Sequence, residues 1–269
     1  MNRLVLLSAL LLAGPSWGYS FNPFLAVSNS GNDNTIYIHS LIDGSLVSTI
    51  TTPFGPEGLD RPLEGLAGDL SGLIYFSNRN SLNTVTVDGV TTSQVGFFNG
   101  DTTEINGLAF DVVADKLYGV DDRRGIYEIN PLTAQTTLIL PVDSQDFNIG
   151  GFDIDPATGR AFVADDDTDG GLGVFEVTGF AGFTPVLSPY PNGLTDVDGL
   201  AAIDNFLYLV EDGLGESITR VHLDSGATQT WPVPFQASGN ASGATLVDLP
   251  VDYTWIGSAA TDHFNERQC

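Results

Sequence analysis

Short apolar runs that alternate with polar turns recur along the whole chain. The runs 73–76, 116–119, 160–163 and 206–209 each follow a glycine by about nine residues and contain Val, Leu, Phe or Tyr. A polar turn then leads to a further strand pattern, such as 125–129, and to a run rich in Thr and Val. Runs of roughly four to eight such residues, bounded by turn residues, are typical of β-strands. The pattern predicts an all-β protein.

The apolar runs belong to an internal repeat. Its glycines, called the repeat glycines below, are Gly65, Gly107, Gly151, Gly199 and Gly243, with steps of 42, 44, 48 and 44 residues. Four strands in a period of about 40 to 50 residues are typical of a β-propeller blade. The alternative, a β-sandwich with irregular strand spacing, does not account for five matched glycines. The repeat therefore predicts a β-propeller of four-stranded blades.

The two ends of the propeller are predicted to share one blade. The runs 24–27, 35–38 and 45–50 match the second, third and fourth strands of a blade whose innermost strand is missing. The run 244–248 would supply that strand. Such a closure leaves no free sheet edge.

This closure predicts five blades in a domain that spans residues 19–250. Residues 251–269 are predicted to form a C-terminal tail. If 253–256 instead begins a further blade, the count is six.

The first 18 residues have the pattern of a secretory signal peptide. Arg3 precedes an apolar run at 4–12, and small residues lie just before the expected cleavage point. The run is too short to cross a membrane, and no later segment approaches about 20 apolar residues. The only cysteine is Cys269, so the chain has no internal disulfide framework. We predict a secreted or periplasmic protein without a membrane span.

The net charge narrows the classes of partner. The chain has 34 acidic and 9 basic residues and a formal charge of −25. Such a surface repels phosphates, which argues against nucleic acid and anionic membranes as ligands. Because 42% of the residues are hydrophobic, the acidity does not indicate disorder. Cations and cationic ligands remain the electrostatically favoured partners.

The residue before each repeat glycine recurs at one height around the predicted channel. These residues are Glu64, Asn106, Gly150, Asp198 and Ser242. Carboxylate and amide oxygens are ligands for hard cations such as calcium, so Glu64, Asn106 and Asp198 form a candidate channel site for calcium or another divalent cation. The alternative is that Asp and Asn precede glycine in turns for backbone reasons alone.

A second candidate cation site lies in a predicted hairpin. Asp165, Asp167, Asp169 and Gly170, with Glu176 at the twelfth position, match the D-x-D-x-D-G calcium loop. Alternate carboxylates in a tight turn can converge on one ion. The alternative is a solvated acidic hairpin.

Parts of the repeat resemble the senescence-marker-protein/gluconolactonase family. The resemblance rests on the segments 64–66, 106–111, 116–121 and 198–201. It implies a six-bladed hydrolase with a catalytic divalent cation held by Glu64, Asn106 and Asp198, with Asp198 also activating water. The chain departs from that family in its predicted five blades and in Gly150, where a fourth ligand is expected.

The repeat also resembles secreted bacterial propeller domains of unknown function. The segment 151–160 carries this likeness, which extends over nearly the whole chain after residue 18. This second resemblance implies a fold and no activity.

Two functions follow from these observations. The first is a non-catalytic secreted propeller that binds a small molecule, a glycan or a protein, with calcium as a bound ion. The alternative is a metal-dependent lactonase or esterase-type hydrolase at the central channel, with Asp198 as the catalytic residue. Whether the chain is an enzyme stays open at this point.

Overall fold

A computed structural model gives the structure of most of the predicted domain. It describes residues 23–29, 34–52, 64–68, 73–78, 80–100, 105–121, 124–142, 147–166, 172–211, 217–232 and 241–248. The predicted signal peptide, 1–18, and the predicted tail, 251–269, lie outside the described residues, as does 253–256. No described helix is long and apolar enough to cross a membrane.

The described residues form twenty strands and one short 3₁₀ helix. The strands before the first repeat glycine are β1 (Pro23–Asn29), β2 (Thr35–Ser40) and β3 (Leu46–Thr51). The next sheet has β4 (Glu64–Gly68), β5 (Leu73–Asn78), β6 (Ser81–Thr86) and β7 (Thr92–Phe97). The third has β8 (Gly107–Asp111), β9 (Lys116–Asp121), β10 (Gly125–Ile129) and β11 (Thr136–Pro141). The fourth has β12 (Ile149–Ile154), β13 (Ala161–Asp165), β14 (Gly173–Val177) and β15 (Phe183–Leu187). After the 3₁₀ helix Pro191–Gly193 come β16 (Val197–Ile203), β17 (Phe206–Glu211), β18 (Ser217–His222), β19 (Thr228–Pro232) and β20 (Ala241–Asp248).

These strands form five antiparallel four-stranded sheets, which are the blades of a five-bladed β-propeller. Blade 1 has the strand order β20-β1-β2-β3, and blades 2 to 5 contain β4–β7, β8–β11, β12–β15 and β16–β19. The inner strands β4, β8, β12, β16 and β20 follow one another around the ring. The sequence-based prediction of an all-β propeller with five blades is confirmed.

Blade 1 closes the ring as predicted. Strand β20 pairs with β1, placing Leu25 opposite Leu246 and Val27 opposite Ala244. The C-terminal strand is thus the innermost strand of the blade that begins the chain. Pairing with β20 gives β1 a neighbour on both sides, so the edges of this sheet are the innermost strand β20 and the outer strand β3.

The apolar core lies between the blades. Among the described residues there are five buried apolar clusters, one for each pair of neighbouring blades. The cluster between blades 5 and 1 joins Leu25 and Tyr37 to Val210, Ile218 and Trp231. Burial of apolar side chains on both faces of each sheet therefore holds the ring together without disulfides.

The repeat glycines bring neighbouring inner strands into close contact. A Cβ at Gly107 would lie 2.8 Å from the Cβ of Phe152, and one at Gly151 would lie 2.8 Å from the Cβ of Leu200. A Cβ at Gly199 would lie 3.1 Å from the Cβ of Ala244. In each case the neighbour is the residue that follows the next repeat glycine. The glycine recurs in the sequence because the space between adjacent inner strands does not admit a side chain at this position.

Turn chemistry accounts for part of the acidity. The side chains of Asp43, Asp88, Asp111 and Asp155 accept hydrogen bonds from backbone N–H groups two residues further along the chain. Asn130 makes the same contact with Leu132. Such side-chain bonds replace a turn's backbone hydrogen bonds and favour Asp and Asn at these positions.

We expect Gly151→Ala to lower the free energy of unfolding by about 1–3 kcal/mol, because the new methyl group would overlap the backbone and Cβ of Leu200. Gly182→Ala is the matched control, since a Cβ there has no neighbour within 4 Å and its φ is not positive. That variant should change stability by less than about 0.5 kcal/mol. Urea unfolding of both variants measures the difference, and equal effects would contradict the role given to the repeat glycines.

Candidate cation site

Three of the inner strands, β12, β16 and β20, carry a β-bulge at the residue before the repeat glycine. In β12, Ile149 pairs with Asp165 and Gly151 with Ala164, so Gly150 is the extra residue. Asp198 has the same place in β16, between Val197 and Gly199. Ser242 is skipped in the same way in β20. Because a bulge re-aims a side chain, this repeat position is set apart from the regular alternation of the strand.

Three carboxylates meet where β13 ends and β16 begins. Ligand oxygens of Asp166, Asp196 and Asp198, called the acidic triad below, all lie within 4.8 Å of one another. Asp166 directly follows β13, whereas Asp196 and Asp198 flank the first residue of β16. Loops between second and third strands share one face of the ring with loops that enter the inner strands. We call this the entry face, and the opposite one the exit face.

Hydrogen bonds fix the Asp166 side chain and the loop that carries it. Its Oδ1 accepts a hydrogen bond from the Val197 N–H at 2.9 Å, which ties the end of β13 to the start of β16. The Asp166 N–H donates to the Asn148 carbonyl at 3.0 Å. The buried Tyr190 hydroxyl donates to the Asp165 carbonyl at 3.1 Å. The carboxylate is therefore held in place by neighbouring strands and by the loop before β16.

Gly150 leaves open the space next to two of these carboxylates. A Cβ at this position would lie 2.6 Å from Asp198 Oδ1 and 2.8 Å from Asp166 Oδ2. Any side chain larger than hydrogen would occupy the space that both oxygens face. The family resemblance led us to expect a fourth ligand at position 150. In the structure Gly150 instead lies directly beside two of the three carboxylates.

The environment of Asp166 opposes its ionisation. Burial raises the pKa of Asp166 to about 7, and the negative charge of Asp196 adds to the rise, while the Val197 N–H opposes it. A bound cation would reverse this balance, because a positive charge next to a carboxylate stabilises its ionised form.

Asp198 is the one predicted channel ligand that the structure places in this cluster. Glu64 begins β4, opposite Ser77. Asn106 lies just before β8, and its N–H donates to the Val120 carbonyl at 2.9 Å. In the ring, β12 separates β8 from β16. The channel set of Glu64, Asn106 and Asp198 stays a prediction.

The structure does not bring Glu176 to Asp165 in the hairpin candidate. Asp165 pairs with Gly173 and is fully buried, and its Oδ1 accepts a hydrogen bond from the Asn148 N–H at 2.9 Å. Glu176 lies three residues beyond Gly173 and forms an ion pair with Arg160 at 2.8 Å. Arg160 also holds the pKa of Glu176 below its usual value.

Two further residues of that candidate, Asp167 and Asp169, lie outside the described residues. A calcium site in this loop that does not use Glu176 stays a prediction.

Sequence reasoning missed Asp166 and Asp196. Asp166 lies between Asp165 and Asp167, and it is not one of the alternating positions that match the calcium-loop pattern. A signal was nevertheless present, since Asp196 and Asp198 alternate across the start of β16. The end of a second strand and the start of the next inner strand meet on the entry face.

Comparisons with known proteins support the fold alone. No model of a known protein family matches the chain, and no curated protein matches it. A chain in the crystal structure of a nidogen/laminin complex is 15% identical with a TM-score of 0.56, over 83% of this chain and 98% of that chain. A protein of unknown function from Bacteroides thetaiotaomicron is 14% identical with a TM-score of 0.54, over 82% of this chain and 69% of that chain. Another, from Bacteroides caccae, is 11% identical with a TM-score of 0.53, over 83% and 98%.

The raised pKa of Asp166 predicts a specific pH dependence of stability. Its pKa is about 4 in an unfolded chain and about 7 here, so its stabilising contribution is complete below pH 4 and is lost as the pH rises through 7. Asp166→Asn keeps the acceptor for the Val197 N–H but cannot ionise. Between pH 4 and 8, in chelator, the variant should gain up to about 4 kcal/mol of stability relative to the wild type.

The control for this experiment is Asp224→Asn, which removes one exposed carboxylate from a turn between β18 and β19. Urea unfolding at several pH values measures all three proteins. Parallel pH curves for wild type and Asp166→Asn would show that Asp166 ionises at an ordinary pH.

Proposed function

We propose that this chain is a non-catalytic binding propeller whose entry face holds a calcium ion on the acidic triad. The observation that carries the proposal is the convergence of the oxygens of Asp166, Asp196 and Asp198 within 4.8 Å. Calcium binds oxygen ligands at about 2.3–2.6 Å, so two ligands on opposite sides of one ion lie about 5 Å apart. The spacing of the triad fits a single ion.

The three carboxylates differ in exposure, so an ion bound to them would be open to a ligand on one side. Asp166 and Asp198 are half-buried, whereas Asp196 is exposed. With one oxygen from each, three carboxylates supply fewer ligands than the six to eight that calcium takes, so the remaining positions are filled by water or by oxygens of a ligand. A glycan hydroxyl or a carboxylate of a protein partner has the required chemistry.

A secreted or periplasmic location is compatible with calcium as the bound ion. The N-terminal pattern indicates a secreted or periplasmic protein, and extracellular calcium modules function with Kd values of about 10⁻⁴ to 10⁻³ M. A partly exposed site of three carboxylates belongs in that range. A chain in a nidogen/laminin complex, an assembly between proteins, has a similar fold, and by analogy with it we propose a protein as the partner.

The second candidate function is a divalent-metal-dependent lactonase or esterase-type hydrolase. It would place the ion on Glu64, Asn106 and Asp198, with Asp198 activating water. One observation favours it: Asn106 Oδ1 is buried and has no hydrogen-bond partner within the described part of the chain. A metal ion is one group that would satisfy such an oxygen.

Calcium titration of the purified protein by calorimetry separates these sites. We expect Asp196→Asn and Asp198→Asn each to weaken calcium binding at least about tenfold, while Asp224→Asn leaves it unchanged. Calcium binds the ionised form of Asp166 and therefore competes with the proton for this carboxylate. Calcium affinity should thus also fall as the pH drops below 7. At a calcium concentration of 100 times Kd, the wild type should gain about 2.7 kcal/mol of stability over chelator.

Other outcomes of the titration reassign the ion. Unchanged binding in both Asp196→Asn and Asp198→Asn would overturn the triad, and loss only in Asp167→Asn would place the ion in the hairpin. Loss in Asn106→Ala and Asp198→Asn but not in Asp196→Asn would favour the channel set. That result would justify a screen of lactone and ester substrates.

A further inference from the structure

The exit face has a recess on the axis of the ring. Its walls include Phe110 from β8, Ile154 from β12 and Leu246 from β20. In the ring, β20 is adjacent to neither β8 nor β12, so a recess that all three strands line lies at the centre. Phe110 and Ile154 are at or next to the ends of their strands, which places the recess opposite the entry face.

A buried carboxylate forms part of the recess wall. Asp153 is only 6% exposed; its Oδ1 accepts a hydrogen bond from the Ile154 N–H at 2.8 Å and its Oδ2 accepts one from the Ala202 N–H at 2.7 Å. No basic side chain of the described residues pairs with it. Lys116 and Arg160, which begin or precede second strands on the same face, are paired with Glu128 and Glu176.

The electrostatics of the recess favour a cation. Burial raises the pKa of Asp153 well above its usual value, and the nearby charge of Asp155 adds to the rise. A positive charge in the recess would stabilise the ionised form of Asp153, which lines it. Since the other lining side chains include Phe110, Ile154 and Leu246, the ligand group must combine a cationic end with an apolar stem.

The rest of the exit face offers further apolar contacts. Four side chains at turns on this face are highly exposed: Ile42 at 74%, Val90 at 80%, Val113 at 81% and Leu132 at 84%. Three of them adjoin the turn carboxylates of Asp43, Asp88 and Asp111. Alternating apolar and negative groups suit a partner surface with apolar and basic residues.

We propose that the axial recess binds the ammonium group of a lysine side chain from a partner protein that docks on the exit face. The recess has space for about one water-sized group, about 10 Å³, and is open to solvent on one side. That is far below the roughly 300–1,000 Å³ of pockets for drug-sized ligands, but an ammonium group is about the size of a water molecule, and the stem can lie in the open part of the recess. The lysine stem contacts the apolar wall and its ammonium faces Asp153. This site is independent of the acidic triad.

The test uses n-pentylamine and the capped peptide acetyl-Val-Lys-Val-amide as probes, with n-pentanol as the neutral analogue. Binding is followed through the backbone amide NMR signals of Ile154 and Ala202, whose N–H groups bond Asp153. We expect both cationic probes to give saturable shifts, with the peptide binding more tightly because of its apolar flanks. Pentanol should give none.

Matched variants locate the site without relying on the fold of an Asp153 variant. Asp153→Asn should weaken pentylamine binding at least tenfold, with Asp224→Asn on the same face as its control. Val112→Lys puts an ammonium on a residue that lines the recess and should abolish binding. Val113→Lys, one residue further along and highly exposed, should leave pentylamine binding in place.

Four results would overturn the proposal: no saturable shift at about 50 mM amine, equal shifts with pentanol, unchanged binding in Val112→Lys, or binding of pentylamine without the peptide. Asp198→Asn should not alter any of these signals. A failure of this site is thereby distinguished from a failure of the calcium site on the entry face.

Discussion

Contact between neighbouring inner strands at the repeat glycines is the constraint on which this structure depends. Five inner strands enclose a narrow axis, and β8, β12 and β16 each approach the next inner strand more closely than two side chains would allow. Gly107, Gly151 and Gly199 provide this approach by presenting only hydrogen to the following strand. The apolar clusters between blades can form because the inner strands are already this close.

The same repeat organises the two ends of the axis differently. At the entry face, the residue before the glycine sits on a bulge in blades 4 and 5, which places Gly150 beside Asp198 and the neighbouring Asp166. At the exit face, the strands end on apolar residues around one buried carboxylate, Asp153. One end therefore suits a hard cation, and the other suits a cationic group on an apolar stem.

The fold was predictable from the sequence because its cause is repeated five times. Spacing of the glycines reflects contact between strands, and the run 244–248 was the one strand left to complete the first blade. The acidic triad was only partly predictable. Asp198 lies at a repeat position, but Asp166 and Asp196 reach it through loops whose paths no period describes. Glu176 fitted a calcium-loop spacing, yet Arg160 across the hairpin is its partner.

A crystal structure of the protein grown with calcium would show whether the acidic triad holds a metal ion. The expected result is one ion with oxygens of Asp166, Asp196 and Asp198 at about 2.3–2.6 Å, next to the open side of Gly150. An ion bound elsewhere, such as in the 165–176 hairpin, or a triad without an ion at saturating calcium, would contradict it.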